Sequence, residues 1–265
     1  MWPLRIYLRL SPLRRGKARI LKTLIIPTLP PLPASFVAQV PGGGLIRLHH
    51  RESLGISVLG FGGFEKTEIR TLSRYARPGS TAVDVGANVG IVTVPLAFAV
   101  GPFGRVLAFE PNAGNVDRLR ENLLLNHLSQ VSVHALALGA TPGDIVLNLG
   151  SDPAFHSSVE VMTPWRTNNA VTVPCSTLDV MWEEAESPDV SVVKIDVEGG
   201  ELAVLKGART MLDRDHPALL VEAHDNNYDQ VAAWLGELGY ESSRPRGFNT
   251  WNYLFLPARC SRSIN

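Results

Sequence analysis

Thr81-Ala82-Val83-Asp84-Val85-Gly86-Ala87-Asn88-Val89-Gly90 is the stretch whose reading decides the fold. Its first five residues, apolar except at Thr81 and Asp84, make a short strand of the kind covered on both faces of a parallel sheet. The chain then turns. Gly86 permits a sharp bend, Gly90 lets the following helix come close, and Asn88 is one of the few non-glycine residues that tolerate left-handed geometry. A buried strand, a glycine turn and a helix open a doubly wound sheet. Ligands of such sheets bind at the carboxyl ends of the strands, near the switch point.

Working outward, the same rhythm repeats. Short apolar runs at Arg105–Phe109, Val131–Leu136, Ser191–Ile195 and Ala218–Val221 read as further strands, with two late ones near Tyr240–Ser243 and Trp251–Leu256. Between them, Val116/Leu119/Leu123, Leu202/Leu205/Ala208/Leu212 and Tyr228/Val231/Leu235/Leu238 keep helical spacing, and Gly239 stands where a C-cap glycine belongs. Pro95 is expected to fall past the first turn of its helix and to kink or shorten it. The predicted fold is α/β: a doubly wound, Rossmann-like, seven-stranded sheet over residues 81–265.

Upstream, residues 36–80 lead into this unit. Leu45–His49 and Ile56–Leu59 read as short strands, Gly42-Gly43-Gly44 as a turn, and Glu65–Ala76 as a helix stopped by Pro78-Gly79. Residues 1–35 form a basic arm and a Pro-rich linker. Residues 1–51 hold nine Lys or Arg and no acid, so residues 52–265 carry 16 basic and 25 acidic side chains, a net charge of −9. An acidic body argues against a nucleic-acid surface. The arm suits a contact with its own domain, a second subunit or a membrane surface, and its acid-free, Arg-rich character also fits a targeting peptide. No stretch reads as a membrane span, and Cys175 and Cys260 match no metal or disulfide pattern, which together suit a cytoplasmic protein. A polar loop near residues 150–170, carrying His156, is long enough to be functional.

The glycine loop lacks the dinucleotide fingerprint, because Asn88 stands where the middle glycine of Gly-x-Gly-x-x-Gly lets the backbone approach a pyrophosphate. Glu110 ends the second strand, twenty residues after Gly90. A carboxylate there can accept from both hydroxyls of a ribose. Loop and acid together indicate a phosphate-free adenosine, with Asp84 and the loop amides toward a methionine-like ammonium.

The loop Val83–Gly90 resembles motif I of class I methyltransferases, and Phe109-Glu110-Pro111-Asn112 resembles the acidic motif after their second strand. More narrowly, Val193-Lys194-Ile195-Asp196-Val197-Glu198-Gly199-Gly200-Glu201 with Val204–Ala208, Glu121-Asn122 with Asn126, Ala135–Leu138, and Thr177-Leu178-Asp179 resemble the FkbM-type methyltransferase family. The resemblance covers roughly residues 56–256. It implies S-adenosylmethionine as cofactor, held by Asp84, Gly86, Asn88, Gly90, Glu110 and Asn112, with Ala137 beside the adenine. It also implies O-methyl transfer to a hydroxyl of a small molecule, sugar or glycan.

An alcohol is a weak nucleophile, so a base near the strand ends is expected. Asp196 ends the fourth strand and Glu222 the fifth, with Glu198 and His224 each two residues on. Asp196, Glu222 and His224 are the catalytic candidates. Asp196 could instead cap the next helix, Glu198 and Glu201 could be first-turn acids, and Lys194 could pair with an acid. Asp196, Glu198, Glu222 and His224 could also hold a divalent cation, although no metal is assigned. Other readings are an RNA or protein methyltransferase, a non-catalytic module on this fold, and a nicotinamide dehydrogenase.

Overall fold

The computed structural model describes residues 34–50, 52–61, 63–150, 156–157, 166–224 and 227–258. The basic arm, most of the 150–170 loop, Asp225 and Cys260 lie outside them. Among the described residues no helix is long and apolar enough to cross a membrane.

The chain opens with the hairpin β1 (Ser35–Gln39) and β2 (Leu45–His49), turned through three glycines with positive φ. The alternation of β2 is real: Ile46 and Leu48 are fully buried while Leu45 and Arg47 face out. Two helices follow, α1 (Ser53–Phe61) and α2 (Lys66–Tyr75). The strand expected at Ile56–Leu59 is therefore a helix. A short apolar run carries no period of its own, and here packing decides. Ile56 N donates to Glu52 O at 2.8 Å, while Leu54 and Val58 join the core. Gly55 lies so close to β2 that a Cβ would meet His49 O at 1.9 Å.

The main unit runs β3 (Thr81–Val85), α3 (Thr93–Val100), β4 (Arg105–Phe109), α4 (Ala113–Leu125), β5 (Val131–His134), β6 (Ala137–Leu138), β7 (Gly143–Gly150), β8 (His156–Ser157), β9 (Arg166–Ser176), α5 (Leu178–Glu184), β10 (Val190–Ile195), α6 (Glu201–Lys206), α7 (Arg209–Asp215), β11 (Ala218–Glu222), α8 (Tyr228–Glu237), β12 (Tyr240–Ser243) and β13 (Asn252–Pro257). Seven strands form one sheet in the order β12-β13-β11-β10-β3-β4-β5, in which β13 is antiparallel to both its neighbours. From β3 the chain steps outward to β4 and β5, then returns to lay β10 on the other side of β3. The switch point thus lies between β3 and β10, where Gly86 and Asp196 emerge.

Alternate residues of the central strands feed opposite layers. Ala82, Val106, Ala108, Val192 and Leu220 pack with the hairpin, α2 and α3, whereas Val83, Val85, Leu107, Phe109, Val193, Ile195 and Val221 pack with α5, α6, α7 and α8. A second sheet, ordered β6-β9-β7-β8, carries the insertion between β5 and α5. Its long strand β9 extends well past the expected Val171–Val173, and the expected Val131–Leu136 strand breaks at Leu136 so that Ala137-Leu138 can pair with β9 instead of β4.

Two helix expectations change. The Leu202–Leu212 periodicity spans two helices, because Gly207 sits against Gly139 O, 2.1 Å from where a Cβ would be. Asp179 then caps α7, accepting from Thr210 N and Met211 N at 2.9 Å each. Pro95 is the third residue of α3, not an interior one, since the glycine loop runs on to Val92. In the first turn its missing N–H removes no helix bond.

Two asparagines of α4 complete the exposed edge of β2. Asn122 accepts from Arg47 N at 2.7 Å and donates to Val89 O at 2.8 Å; Asn126 accepts from Leu45 N at 2.7 Å and donates to Leu45 O at 2.6 Å. Asn122 is buried and ties the hairpin to the glycine loop. Replacing Asn122 with Ala strands these buried groups and should lower stability by about 2 kcal/mol in urea denaturation, whereas Asn126→Ala, at a more exposed end, should lose less than about 1 kcal/mol.

Candidate active site

A cavity of about 290 Å³ opens over the carboxyl ends of β3, β4, β10 and β11. At one end lies the glycine loop. Gly86 (φ 81), Asn88 (φ 50) and Gly90 (φ 93) are all left-handed. Gly86 N and Ala87 N donate to Phe109 O at 2.9 and 3.0 Å, which pulls the loop across the end of β4. A Cβ at Gly86 would lie 1.8 Å from Asp196 O, so no other residue fits without moving the backbone of the neighbouring strand. Glu110 accepts from Asn88 N at 2.8 Å and from Asn112 N at 2.9 Å, joining the two loops. Burial pushes its pKa up to about 7 against the pull of these donors. Asn115 Nδ2 also reaches Oε1 at 3.5 Å, so Oε2, with Asn88 N as its one donor among these bonds, is the more open oxygen for a ligand hydroxyl.

Asp84 is fully buried beneath the loop. Thr93 Oγ1 donates to one of its oxygens at 2.6 Å, and the other has no partner among the described residues. Burial raises its pKa, with Lys194 opposing.

At the other end four acidic side chains line the wall: Asp196, Glu198, Glu222 and Glu65. Oxygen atoms of Glu65, Asp196 and Glu222 lie within 4.8 Å of one another. Parallel pairing of β10 with both β3 and β11 brings Asp196 and Glu222 to one rim. Glu65 arrives from elsewhere, as the left-handed residue (φ 39) before α2, where Asn252 Nδ2 donates to it at 3.0 Å. Lys194 Nζ sits 2.8 Å from Asp196 Oδ2 and is almost wholly buried. Burial opposes its charge, yet Asp196, Glu65 and Asp84 outweigh burial and raise its pKa. Burial, then Asp196 and Glu65, push Glu222 up to about 10; burial, then Asp196 and Glu201, push Glu198 up to about 8; burial pushes Glu65 up to about 7.

A glycine loop without the dinucleotide pattern, an acid closing the next strand and an acidic rim across the switch point coincide with a match to the methyltransferase FkbM domain over residues 84–242. The chain belongs to the FkbM methyltransferase domain family. Among relatives, it is 31% identical over 160 residues to the hexuronic acid methyltransferase AglP of Haloferax volcanii, a match covering 60% of this chain and 62% of that one. The matched stretch thus spans less than two thirds of that relative. Among solved structures, an FkbM methyltransferase of Methylobacillus flagellatus aligns at TM-score 0.49 and 21% identity, over 76% of this chain and 53% of that one. The Pyrococcus horikoshii protein PH0793 aligns at TM-score 0.50 and 13% identity, over 91% of this chain and 82% of that one, a likeness of fold.

Within this FkbM domain the candidates of the sequence divide. Asp84, Gly86, Asn88, Glu110, Ala137, Asp196 and Glu222 line the cavity; Gly90, Asn112 and His224 do not. Gly90 makes room for Leu119, which a Cβ would meet at 2.6 Å. Asn112 spends its side chain capping α4, accepting from Asn115 N at 3.1 Å. His224 stands one layer back, 3.9 Å from Glu198 and tilted against the ring of Trp251. Asp196 caps no helix, since α6 starts only at Glu201. Glu201 instead accepts from Gly199 N at 2.8 Å and from Asn227 Nδ2 at 2.6 Å, holding the Asp196–Gly200 loop in place. The His156 side chain lies outside the described residues.

Glu65, Phe64, Asn249 and Trp251 also line the cavity and were missed. No sequence signal pointed to Glu65, which reads there as the first residue of its helix and in the structure precedes it. Glu is a poor N-cap residue, and here its side chain makes no cap bond.

The raised carboxyl pKa values have a sign. A glutamate with folded pKa above its unfolded value binds more protons when folded, so its contribution is full below the unfolded pKa and is lost as pH rises through the folded one. For Glu65 and Glu110 that window runs from 4.5 to about 7, and for Glu198 from 4.5 to about 8. Stability in urea should therefore decline across pH 5–8, and Glu198→Gln should flatten the decline. A slope unchanged in that variant would remove Glu198 from the account.

Proposed function

We propose that this FkbM domain transfers the methyl group of S-adenosylmethionine to a hydroxyl of a small molecule, sugar or glycan. The observation that carries the reading is the single cavity with Glu110 anchored at one end and Asp196 paired with Lys194 at the other, with Gly86 between them. The residues present fit the cofactor. Glu110 Oε2 is open to a ribose hydroxyl, Ala137 also lines the cavity, and the oxygen of buried Asp84 that has no hydrogen-bond partner among the described residues suits an ammonium. When bound, S-adenosylmethionine supplies an electrophilic methyl group on a good leaving group. The relative AglP supports a sugar acceptor by its name.

The protein's own task is then to place the hydroxyl and take its proton. Glu222, pushed up to about 10, carries its proton at neutral pH and so donates a hydrogen bond. Asp196 is assigned the proton by position: it follows β10 beside Gly86, and Lys194 Nζ holds its carboxylate in place at 2.8 Å. His224 serves from behind, against Glu198 and Trp251.

S-adenosylhomocysteine should bind in calorimetry, and no binding at ~1 mM, a weak affinity on the usual scale, would sink the reading. Glu110→Ala should weaken that binding at least about tenfold, the loss of a charge-assisted hydrogen bond. With an acceptor in hand, Asp196→Asn should lower kcat by about 10²-fold or more, as loss of a general base does. Glu222→Gln, which mimics the protonated carboxyl, should stay within about threefold, since it keeps a hydrogen-bond donor; a collapse equal to that of Asp196→Asn would reassign the base.

A further inference from the structure

The acceptor end holds more acids than cations, and this bears on what can enter. Glu65, Asp196, Glu198 and Glu222 line it, and Lys194 is the single Lys or Arg on the cavity wall among the described residues. Its ammonium already sits on Asp196 at 2.8 Å. The start of α2 is tied to the sheet edge at two points. Asn252, fully buried, donates to Glu65 Oε1 at 3.0 Å, and one turn along α2 the buried Glu68 accepts from Asn249 N. Both asparagines belong to the β12–β13 connection and β13, so α2 and the sheet edge are locked together around the site. The second oxygen of Glu65 is buried without a hydrogen-bond partner among the described residues. Trp251, on the same wall, is partly exposed, with His224 tilted against its ring.

Resting on the methyltransferase reading above, we propose that the acceptor site selects an uncharged polyhydroxy compound, such as a neutral sugar, over a sugar acid, and that Glu65 sets this selection. Hydroxyls donate well to carboxylates, and an aromatic face covers the apolar side of a sugar ring. A uronate brings a carboxylate into a wall of carboxyl groups. Glu222 can donate one hydrogen bond to it, but its charge would still face Asp196 and Glu65 with no free guanidinium or ammonium among the described residues of the wall, since Lys194 could serve only by leaving Asp196. A divalent cation on the three clustered oxygens could reverse this logic, but the ammonium already placed there repels one. In this respect the FkbM domain departs from the hexuronic acid methyltransferase to which it is similar.

The test uses the full chain saturated with S-adenosylhomocysteine. Saturation-transfer NMR compares methyl glucoside with methyl glucuronide, and methyl galactoside with methyl galacturonide, each at about 5 mM, the range of weak sugar affinities. A neutral sugar should bind at least about tenfold more tightly than its acid partner, a difference of about 1.4 kcal/mol. Glu65→Gln should shrink the ratio at least about threefold, and Glu65→Lys should bring the acid level with the neutral sugar. Calorimetry with S-adenosylhomocysteine reports which variants are folded, so Glu65→Gln decides if Glu65→Lys is not. Equal or tighter binding of either acid, binding of neither member of both pairs, acid binding that appears only on adding Mg²⁺, or a ratio unchanged in Glu65→Gln would each overturn the proposal. A chain that binds S-adenosylhomocysteine but fails these tests loses only this inference; one that binds no S-adenosylhomocysteine loses the reading beneath it.

Discussion

The buried ammonium of Lys194 is the interaction on which the rest of the site depends. It lies on the central strand β10, in register with Asp84 on β3, and 2.8 Å from the carboxylate of Asp196. Such a charge is tolerated in a protein interior only when acids surround it. Conversely, the acids of four elements could not crowd the switch point without it. Asp84 comes from β3, Asp196 from the end of β10, Glu222 from β11 and Glu65 from the start of α2. The cluster is thus a joint between the cofactor loop, the parallel strands and the lead-in helices.

The same joint fixes geometry as well as charge. Gly86 turns left-handed under Asp196 O, close enough to exclude any Cβ. Glu110 is pinned by amides from two loops, and Asn122 carries the restraint on to the hairpin through Val89 O and Arg47 N. Hairpin, glycine loop and acidic rim therefore share one hydrogen-bond path. This accounts for buried polar groups in a region otherwise built from valine, leucine and isoleucine: Asn122, Glu110 and Asp84 each pair across an element boundary, and Asp84 Oδ1 and Glu65 Oε2, without a hydrogen-bond partner among the described residues, belong to residues that line the cavity.

Much of the fold was legible. Strands at Thr81–Val85, Arg105–Phe109 and Ala218–Glu222 announced themselves because central parallel strands are apolar on both faces, a pattern few other elements show. The run at Ile56–Leu59 did not, because three apolar residues around Ser57 fit a strand or a helix equally, and its state was settled by packing of Leu54 and Val58. The break at Gly207 was hidden for a related reason: helical spacing continued through it, while the cause, the carbonyl of Gly139, lies nearly seventy residues away. In the site, Asp196 and Glu222 could be found because they end adjacent strands. Glu65 could not, since no local pattern says that the residue before α2 faces β10.

The sequence by itself determined the strand order's logic, the left-handed turn at Gly86–Gly90 and the residues that close β4, β10 and β11. These depend on backbone conformation and on period, which neighbours in the chain control. Tertiary structure alone decided that Glu65 joins Asp196 and Glu222, that Asn112 caps its helix, that His224 stands behind Trp251, and that Lys194 compensates them all. Charge and hydrogen bonding act through space, and the distances that set their strength are made only when β10, β11 and α2 come together.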